Sequence, residues 1–149
     1  MKKILLLVLL SIGILSGQET FMKIKTNPTS ILIGMLNIKA EVKILEKLSI
    51  EPTITFTRYK SDFDILAGAN MYLYLNSVMK KKGYFASAGL SKGVKYKDEF
   101  YSGTIGYQWY NNSDTSIRYT SIEFGAMYKK DLDENDDMLL PVIYFNISF

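Results

Sequence analysis

The sequence predicts an all-β protein: an eight-stranded antiparallel up-and-down transmembrane β-barrel behind an N-terminal signal peptide. Three observations predict it. After the first 17 residues the apolar positions recur with a period of two and nowhere switch to helical spacing. The first residues have the build of an export signal. The last ones, Leu-Leu-Pro-Val-Ile-Tyr-Phe-Asn-Ile-Ser-Phe, form an alternating strand that ends on the aromatic Phe149.

Met1-Lys2-Lys3 is a basic head, and residues 4–15 are a mostly apolar run too short to span a bilayer as a helix. Ser16 and Gly17 are small, as a cleavage site requires. A lipoprotein signal would place cysteine next, but position 18 is Gln, so cleavage without a lipid anchor is expected. Residues 1–17 are thus read as signal peptide and residues 18–149 as the barrel domain.

The chain of 149 residues has room for one domain. It contains no histidine and no cysteine, which excludes disulfides and thiolate metal sites and removes the commonest general base. The formal charge is +3, and two of the lysines lie in the signal segment, so the domain is nearly neutral. It lacks the strongly basic face that nucleic acid requires. No cofactor is expected.

Eight strand-like segments follow, each closed by turn residues. The first, 19–27, sets Met22 and Ile24 against Lys23 and Lys25, and Pro28 ends it. The second, 31–44, is the cleanest: Leu36, Ile38, Ala40, Val42 and Ile44 oppose Asn37, Lys39, Glu41 and Lys43. In the third, 48–59, Ile50, Ile54 and Phe56 oppose Ser49, Glu51, Thr53 and Thr55. In the fourth, 64–75, Ile65, Met71 and Leu73 alternate with Asp64, Asn70, Tyr72 and Tyr74. The fifth, 83–96, has Tyr84, Ala86, Ala88 and Leu90 on one face and the small Ser87, Gly89, Ser91 and Gly93 on the other. In the sixth, 100–110, Tyr101, Ile105, Tyr107 and Trp109 oppose Ser102, Thr104, Gly106 and Gln108. In the seventh, 116–128, Ile122, Phe124, Ala126 and Tyr128 oppose Ser121, Glu123 and Gly125; Ile117, Arg118 and Tyr119 are out of phase, which predicts a bulge. The eighth, 139–149, sets Ile143, Phe145, Ile147 and Phe149 against Tyr144, Asn146 and Ser148.

Every strand carries an apolar face and no amphipathic helix covers it, so the faces meet each other in a sandwich or meet lipid in a barrel. The signal peptide and terminal strand favour lipid. A strand of about eleven residues at ~3.3 Å each, tilted by about 40°, rises roughly 28 Å, enough for the apolar band of an outer membrane. An even strand count puts both termini on the periplasmic side, with connections 45–47, 76–82 and 111–115. The opposite connections would be extracellular, and 129–138 is the longest and most polar of them.

Placing Ile44 opposite Leu48 across a three-residue loop sets Glu41 near Glu51, both inside. Like charges need partners there. Lys39, Glu41, Glu51, Asn70, Arg118 and Glu123 are therefore expected to form an interior polar network. Eight strands leave an interior just wide enough for side chains, so a plugged barrel is expected rather than a water-filled pore. Tyr84, Tyr101, Tyr107, Trp109 and Tyr128 read as interfacial girdle residues.

With its signal peptide, its alternating segments and its terminal Tyr144-Phe145-Asn146-Ile147-Ser148-Phe149, the chain resembles small outer-membrane barrels of the OmpA and OmpX kind. Lys25-Thr26-Asn27-Pro28, Ala40-Glu41 and Gly106-Tyr107-Gln108-Trp109 are similar to an uncharacterised outer-membrane barrel family carrying a domain of unknown function. The resemblance implies a bacterial outer-membrane location after export to the periplasm, and barrel-assembly machinery that reads the last strand through Tyr144, Phe145, Ile147 and Phe149. It implies contact with outer-membrane lipid and lipopolysaccharide as a monomer, and no known reaction. The long hairpins of OmpX-like adhesins are missing.

Motifs with chemistry are few. Gly89-Leu90-Ser91-Lys92-Gly93 matches a nucleophile-elbow pattern but sits in a strand of a chain without histidine. Ser77-Val78-Met79-Lys80 lies in a turn without companion motifs. Asp131, Asp133 and Asn135 mimic the start of an EF-hand loop, yet the turn glycine is replaced by Asp136 and the twelfth position is Val142, so no metal site is assigned. The expectation is a non-enzymatic barrel with a structural or surface-interaction role. Its alternatives are a narrow small-solute or ion channel, a secreted lipocalin-like ligand-binding barrel, and a lipid A-modifying enzyme.

Overall fold

The computed structural model describes residues 22–32, 34–59, 62–76, 82–111, 119–130 and 137–149. Eight strands, β1 (Met22–Thr26), β2 (Met35–Leu45), β3 (Leu48–Tyr59), β4 (Asp62–Tyr74), β5 (Lys82–Gly93), β6 (Glu99–Tyr110), β7 (Tyr119–Lys130) and β8 (Met138–Ser148), and one short helix, α1 (Pro28–Leu32), make up the described chain. Each strand pairs with the next, and β8 returns to β1 to close the barrel. All pairings are antiparallel. Up-and-down order puts both ends of the described chain and the β2–β3, β4–β5 and β6–β7 connections at one end, called here the near end. The remaining connections lie at the far end.

The barrel is apolar outside and polar inside. Ile105 is 68 % exposed and Ile143 65 %, whereas Glu41 and Glu51 are 0 % and Lys23 1 % exposed. Among the described residues only Tyr72, Tyr74 and Phe85 are large hydrophobics buried from solvent. Strict alternation in β3 shows the cause: Ser49 and Glu51 are buried while Ile50, Ile54 and Phe56 are exposed. A period of two sends alternate side chains to opposite faces, and the sequence put carboxylates and hydroxyls on one parity and aliphatics on the other.

Several expectations need correction. The second strand begins at Met35, not at Ile31. Asn27 caps α1, its Oδ1 accepting the Thr29 N–H at 3.0 Å. Pro28 occupies the first helical position, where its missing N–H costs nothing. Gly34, at φ 77°, ends the turn in the left-handed conformation that glycine accepts most readily. The β2–β3 turn has two residues, Glu46 and Lys47, because Leu45 rather than Ile44 faces Leu48. A register shift between Lys43 and Leu45 absorbs the extra residue. Beyond it the register is the expected one: Val42 faces Ile50 and Lys39 faces Thr53, which sets Glu41 opposite Glu51. From Tyr119 to Lys130 β7 pairs with β6 without a break; the bulge expected around Ile117 and Arg118 falls outside the described residues. β5 ends at Gly93, not at 96. The signal peptide, Ser77-Val78-Met79-Lys80, Ile117, Arg118, Asp131, Asp133 and Asn135 lie outside the described residues.

Candidate functional site

The inward-facing residues divide the interior into a filled near half and an open far half. At the near end, Tyr72, Tyr74 and Phe85 form an aromatic plug, with Phe85 ring centroids 5.3 Å from Tyr72 and 5.4 Å from Tyr74. Phe85 fits because β6 offers a glycine opposite it. Phe85 pairs with Gly106, and a Cβ on Gly106 would lie 2.5 Å from Phe85 Cζ.

Charged groups pack against the plug. Lys25, on β1, is the hub: its Nζ lies 2.6 Å from Glu41 and 2.9 Å from Glu51. This one ammonium serves the two carboxylates that the β2–β3 register forces together. Its Nζ also sits 4.3 Å from the Tyr72 ring centroid. Glu41 additionally accepts hydrogen bonds from Ser49 and Tyr74 hydroxyls and lies 3.7 Å from Lys23 Nζ. Glu51 accepts from Asn70 Nδ2 at 2.9 Å and from the Tyr72 hydroxyl at 3.1 Å. Glu123 accepts from Asn146 at 2.7 Å and Thr104 at 2.8 Å. The Tyr72 hydroxyl stands 3.3 Å from Glu123 as well and can donate to only one carboxylate at a time. Lys23 donates to Gln108 Oε1 at 2.9 Å and lies over the Tyr119 ring. Three buried lysines (23, 25 and 39) thus balance three buried glutamates (41, 51 and 123). A buried charge is tolerated only with such pairing and hydrogen bonding.

Of the residues expected in the network, Lys39, Glu41, Glu51, Asn70 and Glu123 meet inside. Sequence reasoning put Lys23 and Lys25 inside but left them out of the network, and it missed Phe85 as a filler. The signal for the lysines was available: Lys23 faces Glu41 and Lys25 faces Lys39 across β1–β2, so counting that pairing would have found them.

The outward aromatics form two groups. Tyr107 meets Tyr84 edge-on (4.8 Å between centroids) and stacks with Trp109 (6.3 Å) at the near end. Tyr101 and Tyr128, 6.3 Å apart, sit at the far end. Along β6 the step from Tyr101 to Trp109 spans roughly 26 Å of strand. On β8, Phe145, Ile147 and Phe149 belong to the outer parity, and the Phe149 N–H donates to Ile24 O at 2.9 Å. Tyr144 turns inward beside Lys39, 5.2 Å from its Nζ.

The far half is not plugged, contrary to expectation. It holds a cavity of about 500 Å³, floored by Lys39, Asn70, Tyr72 and Glu123. The reason lies in the small inward residues along its wall: Ser87, Ser91, Ser102 and Thr55 are too small to meet across the lumen. The elbow-like Gly89-Leu90-Ser91-Lys92-Gly93 runs as extended strand through this wall, paired on both sides. Among the described residues no group of three acidic, histidine or cysteine side chains could hold a metal ion.

The eight-stranded antiparallel barrel is compatible with an OmpA- or OmpX-like fold. No protein-family model, curated protein or solved structure matches the chain.

Proposed function

We propose that the protein is a small, non-enzymatic outer-membrane β-barrel, exported through its N-terminal signal and inserted as a monomer, with a structural or surface-interaction role and a lumen sealed at the periplasmic end. The observation that carries this reading is the inverted polarity: lysine and glutamate side chains are buried inside while Ile24, Ile38, Ile54, Met71, Ile105 and Ile143 are exposed. A soluble lipocalin-like barrel needs the opposite arrangement, since exposed apolar surface of this extent is costly in water. Two aromatic bands at opposite ends of the strands fit the two interfaces of a bilayer.

Ile105 lies midway between the bands and tests the reading. In vesicles, Ile105→Arg is expected to lower unfolding stability by about 2–4 kcal/mol, the cost of a cation at the bilayer midplane. A water-exposed site would change by no more than about 0.5 kcal/mol. Urea titration of vesicle-inserted protein measures it. Recovery of the wild type from the periplasm without detergent would sink the membrane assignment.

The channel reading predicts conductance. The filled near half argues against it, and no stable openings are expected in planar bilayers at neutral pH. Regular single-channel steps from purified protein would reverse that conclusion.

A further inference from the structure

The barrel wall is nearly complete except at one seam. β6 and β7 face each other over Glu99–Lys130 to Tyr110–Tyr119, but β8 meets β1 only through the pairs Lys25–Ser148 and Thr26–Ile147 and the bond from Phe149 N–H to Ile24 O. β1 stops at Thr26, while β8 and β2 continue toward the far end. Between them lies α1 in place of a strand, so among the described residues no strand covers the β1-side edge of β8 from Met138 to Asn146. Pro141, which has no N–H to donate, sits on this edge strand.

The cavity reaches the seam. Along β2, β3 and β6 it touches alternate residues, as a lumen must. On β8 it touches four in succession, Pro141, Val142, Ile143 and Tyr144, and on the α1 side of the seam, where the helix packs against β8, it touches Asn27, Thr29 and Ser30. A run of four means contact with the strand's edge rather than its inner face. The one other break in alternation, Leu90 beside Ser91, has a local cause: a Cβ on Gly68 would meet Leu90 O, so the missing side chain uncovers that backbone.

The lining of the cavity sets the ligand's chemistry. Its floor joins an ammonium, Lys39, to a carboxylate, Glu123. Lys39 is held at long range, 3.7 Å from Glu51 and 3.4 Å from Asn146. Hydroxyls and amides surround the floor, and Leu66, Met127 and Val142 stand above it. We propose that this cavity is a binding site for a single-chain amphiphile with a zwitterionic headgroup, the head seated over Lys39 and Glu123 and the acyl chain leaving through the seam between α1 and β8. The proposal rests on the membrane reading above, because the seam must open onto lipid.

The test uses the full barrel reconstituted in phosphatidylethanolamine–phosphatidylglycerol vesicles, with lysophosphatidylcholine as the probe. Flotation with vesicles reports insertion. Native mass spectrometry after detergent release reports the adduct. The wild type is expected to float and to retain one lysolipid per chain. Ser91→Phe and Ser102→Phe, which fill the cavity, should float and retain about tenfold less. A bulky maleimide on Ile143→Cys, at the seam, should also abolish retention, whereas the same label on Ile105→Cys should not; the chain has no other cysteine. Floating protein with no adduct, or with an adduct indifferent to the filled variants, overturns the site and leaves the membrane reading intact. Equal effects of the two labels overturn the seam route. Failure of the wild type to float overturns the membrane reading and the route with it.

Discussion

Lys25→Met is expected to be the most damaging conservative-volume change in the barrel, costing about 3–5 kcal/mol of unfolding stability. Lys25 is the only side chain within 3 Å of both Glu41 and Glu51 among the described ion pairs. Its removal strands two carboxylates, both wholly buried, across one β-ladder. Neither can turn to water, because Tyr74 and Tyr72 close the near end above them. The loss comes mainly from leaving charges unpaired rather than from the attraction itself. A second change therefore discriminates: Lys25→Met with Glu51→Gln should be more stable than Lys25→Met alone, a non-additivity of at least about 1 kcal/mol. Fluorescence of Trp109, the chain's single tryptophan, follows unfolding by urea. A loss under about 1 kcal/mol for Lys25→Met would show that Lys23 and Lys39 suffice.

Phe85→Ala should cost a similar amount, about 3–5 kcal/mol, for a different reason. Phe85 is 3 % exposed and touches both tyrosines of the plug, so truncation leaves a void that rigid strands cannot collapse into. Gly106 makes the prediction specific. In the wild type, Gly106→Ala forces the Phe85 ring aside and should destabilise. In the Phe85→Ala background the clash with the ring is gone and only the close approach to the Ile122 carbonyl, 2.7 Å from the added Cβ, remains, so the cost should fall without vanishing. The same urea titration on the four proteins of the cycle reads the coupling. A coupling near zero would mean the ring does not depend on that glycine.

Much of this architecture was legible because alternation is a strong signal. β3 could be read from its own residues, since Leu48 to Thr57 alternates throughout, with Pro52 on the outward parity. The Glu41–Glu51 level followed from one hairpin register. What escaped reading shares a physical cause: it depends on more than one strand. Ile31 and Leu32 continue the apolar count of β2, and only the cap by Asn27 and Pro28 converts them to helix. The hub role of Lys25 requires the β1–β2 register as well as its own parity. The cavity requires Ser87, Ser91, Ser102 and Thr55 to line one lumen from three strands, which no single segment reveals.

The brevity of β1 bears on how the molecule assembles. Seven hairpins join neighbours in sequence, so their contacts form at little cost in chain entropy. Closure joins Lys25 to Ser148, nearly the full length of the chain apart, and gains only two ladder pairs for it. The slow event in folding is therefore expected to be the meeting of first and last strands, and until it happens the sheet carries two raw edges able to pair with another chain. Lys25 finds its two carboxylates on the neighbouring β2 and β3, so the charge that holds the interior together can be paired before the barrel shuts.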